Sequence, residues 1–296
     1  MPYTREFWVE NRHLSGEQLG KKLGIDGGSA RRLIREAKAD PTTADLWPKA
    51  QPNIVRGIAF YDMHHPKHDQ RLWNNLLRFA EDFRPTAWVF GGDNMDMEPV
   101  SHWIGNKRRK IEGLRLCEDY ESFNRDVLAR VDALLPEDAE RIFLLGNHED
   151  WVEQYIDEHP EVEGFLEVRK NLNLERWDVY DYGEVAKIGK LHFIHGEYFN
   201  IHHAHKTGQV YGRNVVMGHT HTYQVHTHTV PTDVESHSAI ALPCGCHLNP
   251  NYRKNKPNAW VTGFGVFYVH PNGNFDLYPV IAVNGSFIAP NGTLYE

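Results

Sequence analysis

From about residue 53 onward the chain alternates short apolar runs with amphipathic stretches, the pattern of strands and helices in an α/β domain. Ile54–Phe60, Ala87–Phe90, Arg141–Leu145, Lys190–Ile194 and Asn214–Met217 predict strands. Leu72, Leu76 and Phe79 fall on one face and predict a helix over Arg71–Phe83, and residues 111–135 read as mostly helical. Beyond His221 the pattern is short strands and turns, with Pro271-Asn272-Gly273 and Asn284-Gly285 as hairpin signals. Each of the five strands stops at a polar cluster. In open α/β sheets the loops at the carboxyl ends of strands are where ligands bind.

The first 40 residues carry no strand signal. Ser15 and Gln18 form a capping box, Leu19 and Leu23 an apolar face, Gly24 a turn, and Leu33 and Ile34 a second helix. This reads as a helix-turn-helix-like segment over 1–40, with Arg31, Arg32 and Arg35 as nucleic-acid-binding candidates on the second helix. Three prolines make 41–52 a linker, and 53–296 the main domain.

Composition narrows the picture. With 296 residues and 41% hydrophobic content, the chain suits one large domain plus a small appendage. A net charge of -8 excludes a general nucleic-acid coater. No apolar run reaches the ~18 residues of a membrane span, and residues 1–8 lack a secretory core. Three cysteines are too few for a disulfide framework, so a cytoplasmic setting is expected. The 19 histidines raise a metal hypothesis before any motif is read.

The strand-end clusters are Asp62-x-His64, Gly92-Asp93, Gly146-Asn147-His148, His195-Gly196 and Gly218-His219-Thr220-His221. Carboxylate, imidazole and amide oxygen suit borderline divalent ions without a thiolate. Asp62 and His64 are two apart, as are His219 and His221, so each pair is expected on one side of a continuing strand. Two ions ~3.5–4 Å apart need a shared carboxylate, and Asp93 is the natural bridge. In this order the blocks resemble the calcineurin-like metallophosphoesterase superfamily, over roughly residues 53–283. The resemblance implies a four-layer α/β/β/α sandwich. It implies Asp62, His64, Asp93 and His221 at one metal, and Asp93, Asn147, His195 and His219 at a second. It places His148 on the family's catalytic histidine, with Asp96 as its carboxylate partner. The cofactors it implies are two divalent ions, Mn2+ first, with Zn2+ or Fe2+ as alternatives.

The expected chemistry follows: a metal-bridging hydroxide attacks phosphorus, and His148 protonates the leaving oxygen. Leu145 precedes Gly146 and Met97 follows Asp96, so the two phosphate-gripping arginines of the protein phosphatase branch are missing, although Glu149 matches. Asp96 stands where purple acid phosphatases carry a tyrosine ligand. The expected function is therefore a phosphodiesterase, nearer to nuclease members and acting on nucleic acid or a nucleotide. Phosphomonoesterase action is the first alternative. A DNA-binding regulator with a relict phosphoesterase domain is the second. His102, Trp103, Arg108 and His202 are candidate substrate-binding residues. Cys244 and Cys246 read as buried small residues. The oligomeric state is not legible.

Overall fold

A computed structural model describes the chain apart from residues 1–2, 13, 15, 26–28, 31–32, 35, 38–39, 41, 44–45, 47–53, 104, 106–108, 110, 230–231, 233–235 and 250–255. The chain divides into two compact units, Met1–Ile54 and Val55–Glu296.

In the first unit, α1 spans Arg5–Asn11 and α2 spans Gly16–Leu23. Thr4 caps α1, its hydroxyl accepting the Phe7 N–H at 3.3 Å. Trp8, Leu19, Ala30, Ala37 and Leu46 are buried together as the core of this unit. A clear helix-turn-helix is not seen among the described residues. The three arginines assigned to nucleic acid, Arg31, Arg32 and Arg35, lie outside the described residues. What the described part shows is a small helical core closed on its own apolar side chains.

The second unit is a mixed α/β sandwich. Its strands are β1 (Val55–Phe60), β2 (Ala87–Gly91), β3 (Glu140–Leu144), β4 (Asp178–Tyr180), β5 (Ala186–Ile188), β6 (Leu191–Phe193) and β7 (Asn214–Met217). They continue with β8 (Gln224–His228), β9 (His237–Ala241), β10 (Gly263–Val269), β11 (Phe275–Ile281), β12 (Phe287–Ile288) and β13 (Leu294–Tyr295). Among the described residues one sheet runs β11-β10-β1-β2-β3-β4 and a second β5-β6-β7-β9-β8. In the first sheet β1 to β4 are parallel, and β10 and β11 add antiparallel.

Alternation along each strand feeds two separate cores. Ile58, Phe60, Trp88, Phe90, Phe143 and Phe264 face one way, and pack with side chains of α3 (Gln70–Phe83), α4 (Leu116–Phe123), α5 (Ala129–Leu134) and α6 (Asn147–Glu158). Ala59, Val89, Ile142 and Leu144 face the other way, against Ile188, Phe193, Val216 and Ile240 of the second sheet. The far side of that sheet packs Val215 and Met217 on Ala204 of α8 (His203–Tyr211), the last helix after α7 (Val168–Asn171). The two faces explain why β1, β2 and β3 read as continuous apolar runs.

The predicted helix at 71–83 is α3. Asp69 caps it, accepting the Arg71 and Leu72 N–H groups at 3.0 Å, and Leu72, Leu76 and Phe79 are buried as the periodicity requires. The stretch expected to be helical over 111–135 begins only at Leu116 and is broken by a π turn at Asn124–Leu128. Phe90 sits at the middle of the helical-side core, with the rings of Phe123, Phe143 and Trp177 at 6.1, 5.7 and 5.2 Å. Phe90→Ala is expected to destabilise the unit by about 3–5 kcal/mol, read as a lowered urea midpoint at unchanged slope.

Candidate metal centre

All five clusters lie just beyond strand ends at one edge of the sandwich, but not as continuing strands. β1 ends at Phe60 and β7 at Met217. Asp62, His64, Asp93, His219 and His221 then take positive φ, at 50, 51, 48, 70 and 58°. The expectation that each pair lines one side of a strand is corrected. Left-handed backbone bends each loop so that its donor turns inward. Asp and His tolerate this conformation better than most residues, at a cost of order 1–3 kcal/mol each. Such strain persists where the surroundings enforce it. Here Asp62 N donates to Gly92 O (3.1 Å), His64 N to Asp93 O (2.9 Å) and Gly218 N to His195 O (2.8 Å), tying loop to loop.

The donors converge. His64 Nε2 is 3.2 Å from His221 Nε2, which is 3.5 Å from Asp62 Oδ1. His195 Nε2 is 3.1 Å from Asn147 Oδ1 and 3.3 Å from Asp93 Oδ2. Asp93, His195 and His219 each offer a ligand atom within 4.8 Å of the others, and so do His64, Asp93 and His148. Asp93 is common to these two sets, and a third set, His64, His221 and Cys246, brings a thiol within the same distance. The other oxygen of Asp93 accepts the His148 N–H at 2.9 Å. The His219 Nδ1 is buried without a hydrogen-bond partner, which a metal ion would supply. These Asp and His side chains can coordinate a metal.

Glycines make room for this crowding. A Cβ on Gly146 would stand 2.2 Å from the Asp93 backbone nitrogen, and one on Gly218 would stand 2.3 Å from Asp62 Oδ2. The carboxylates and imidazoles of the cluster shift one another. Burial alone would push Asp93 up, but His148, His195 and His64 hold it well below the usual carboxylate range. Burial pulls the His195 and His221 imidazoles down, but Asp93 and Asp62 override it and hold them at about 9. A metal ion would take the place of those protons, and loading would release them.

The imidazoles are oriented from outside. His195 Nδ1 donates to Gly91 O at 3.1 Å, and His64 Nδ1 to the Asp96 carboxylate at 3.2 Å, leaving each Nε2 facing inward. Asp96 also binds Lys67 at 2.5 Å, and Lys67 reaches on to Glu98. His148 Nδ1 donates to the backbone oxygen of Asp96 at 2.7 Å, while the carboxylate is 4.0 Å away. Asp96→Ala is expected to weaken one ion by about 10–100-fold, measured by competition with a chelator, because His64 loses its outer partner.

The remaining candidates divide. His102 packs at a tilt on Trp103 and lies edge-on to Trp151, whose ring lies 3.8 Å from that of His148. His102 and Trp151 line a cavity of about 310 Å3. Trp103 itself is 72% exposed, and Arg108 lies outside the described residues. His202 is exposed at the start of α8. Its neighbour His203 is buried and meets the Thr220 and Thr222 hydroxyls at 3.2 and 3.1 Å, bracing the loop of His219 and His221.

Sequence reasoning missed three groups. Glu149 was seen only as a family match. It is fully buried, and its two oxygens accept the N–H groups of Asp93, Met95 and Gly146 at 3.0, 2.9 and 2.7 Å. Its place three residues after Gly146 at the start of α6 was the available signal. Lys67 carried no signal. Cys246 Sγ lies 3.6 Å from His221 Nδ1, where no thiol was expected.

No family model matches the chain. A purple acid phosphatase of Arabidopsis thaliana is 32% identical over 73 residues, which is 22% of this chain and 19% of that protein's length. The solved structures found include Vps29 from Entamoeba histolytica complexed with Zn2+, at 13% identity and TM-score 0.43, covering 79% of this chain and 96% of that one. Vacuolar protein sorting 29 from Cryptosporidium parvum has 11% identity and TM-score 0.41, covering 79% and 94%. A protein of Streptococcus pneumoniae described as a predicted phosphoesterase has 10% identity and TM-score 0.28, covering 77% and 99%.

These matches correct the expected activity. Four of the solved structures found, each covering 77–79% of this chain, are Vps29 proteins, and none of those four is described as a nuclease. The readings as a hydrolase, a nuclease, a manganese enzyme and a protein acting on a phosphate ester, DNA or RNA are withdrawn. Among the described residues no helix is long and apolar enough to cross a membrane. The ordered blocks at the strand ends of two packed sheets resemble the calcineurin-like phosphoesterase arrangement, and the chain spans about a fifth of the length of the curated relative it matches.

Proposed function

We propose that the chain is a divalent-metal-binding protein, in which a phosphoesterase-type sandwich holds two ions as a binding centre without turnover. The convergence of seven donor side chains from five separate loops carries this reading. Asp62, His64, Asp93 and His221 would hold one ion, and Asp93, Asn147, His195 and His219 the other. The layers run helix, sheet, sheet, helix, with both ions at one sheet edge.

One feature of the site favours binding without hydrolysis. A general acid that must become imidazolium is usually held by an anionic partner. Here the acceptor at His148 Nδ1 is the neutral backbone oxygen of Asp96, whose carboxylate is taken up by His64 and Lys67, and the Asp93 carboxylate lies 3.7 Å from Nε2, beyond hydrogen-bond distance. The dialysed full chain loaded with Zn2+ is expected to bind two ions by elemental analysis. It is expected to release no p-nitrophenol from either p-nitrophenyl phosphate or its bis ester beyond a metal-free control. Metal-dependent release would overturn the non-catalytic reading, and absence of bound ions would overturn the whole proposal.

A further inference from the structure

We infer that Cys246 is the positioning residue of the first metal, holding His221 through its outer nitrogen; this rests on the metal-binding reading above. Three imidazoles of the centre each have a polar partner at Nδ1, and under this inference that partner is the acceptor in all three. For His195 it is the Gly91 carbonyl, for His64 the Asp96 carboxylate, and for His221 the Cys246 sulfur at 3.6 Å. In the last case Nε2 is left facing Asp62 and His64.

The sulfur is rigidly placed. Cys246 is 4% exposed and Cys244 fully buried. Gly245 N donates to Tyr61 O at 2.8 Å and to Asp62 O at 3.1 Å, and Gly245 O accepts from Asp69 N at 2.9 Å. A Cβ on Gly245 would stand 2.3 Å from the Phe60 ring, so this turn is clamped to the backbone that presents Asp62. The Trp260 ring packs against the His221 imidazole at 4.2 Å. A sulfur is a weaker acceptor than a carboxylate or a carbonyl. His221 is therefore the least firmly anchored of the three rings, and the first ion is the one that responds to the thiol.

The test uses the full chain loaded with cobalt. Wild type is expected to bind two ions with a visible cobalt spectrum and no near-ultraviolet thiolate-to-cobalt charge-transfer band, because the sulfur touches His221 rather than the metal. Cys246→Ala is expected to weaken one ion by about 10–100-fold and leave the other within twofold. Cys246→Ser, which keeps an acceptor, is expected to recover most of that loss. Equal affinities in wild type and Cys246→Ala would overturn the inference, as would a charge-transfer band in wild type, which would make the sulfur a ligand. Should Cys246→Ala fail to fold, nitrogen-15 imidazole spectra of the zinc-loaded wild type decide it. The inference requires a retained proton on Nδ1 of His221, and a proton on Nε2 refutes it. Failure of wild type to bind cobalt at all would remove the metal-binding reading and this inference with it, whereas cobalt bound without any response to Cys246 removes the inference alone.

Discussion

Asp93→Ala is expected to abolish tight binding of both ions, whereas His221→Ala should weaken one. Asp93 Oδ2 lies 3.3 Å from His195 Nε2, 3.7 Å from His148 Nε2 and 3.8 Å from His64 Nε2, so one carboxylate is shared by donors of both halves. Losing it removes a negative charge from each ion at once, and a shared carboxylate is what allows two cations to sit ~3.5–4 Å apart. A fall of at least about 100-fold in the affinity of each ion is expected, by titration against a competing chelator. The substitution also leaves the His148 N–H without its acceptor, at a cost of about 1–3 kcal/mol to the ion-free protein. If Asp93→Ala kept one ion at wild-type affinity, Asp93 would not be shared and the two-ion arrangement would be wrong.

Glu149→Ala is expected to be the most destabilising single change near the centre, although Glu149 touches no ion. Its carboxylate gathers three buried N–H groups from two loops, those of Asp93, Met95 and Gly146. Removing it orphans all three. At about 1–3 kcal/mol each, with incomplete additivity, the loss should be about 3–6 kcal/mol. Burial, with Asp93 nearby, raises this carboxyl to about 7, and the N–H bonds from Met95 and Gly146 act in the opposite direction. Glu149→Gln, which keeps one acceptor oxygen and adds a donor amide, should fall between wild type and alanine. Urea unfolding of the metal-free chain measures this without interference from bound ions. An alanine variant as stable as wild type would show that the two loops hold their positive-φ geometry unaided.

The packing of the two sheets also accounts for the way the site tolerates strain. Five donors in left-handed backbone would each cost about 1–3 kcal/mol in isolation. The cost is met by loop-to-loop hydrogen bonds and by the two apolar cores beneath, which hold β1, β2 and β3 in register. A site of this kind is expected to keep its shape without ions.

Sequence alone placed the candidate donors at strand ends. Those signals are local: a short apolar run, a glycine and a polar residue lie within a few positions of each other, and Leu72, Leu76 and Phe79 needed only their own spacing to define a helix. What the tertiary structure decided was how the donors are held. Glu149 reaches Asp93 across 56 positions, Asp96 orients His64 across 32, and Cys246 backs His221 across 25. No periodicity encodes such contacts. They arise because parallel strands bring separate loops to one edge, where the partner of a buried N–H is whichever group the packing leaves within 3 Å. The left-handed turn of Asp62 and His64 is of the same kind: it is imposed by the neighbouring loop, so a strand pattern read from the sequence continued past the point where the real strand stops.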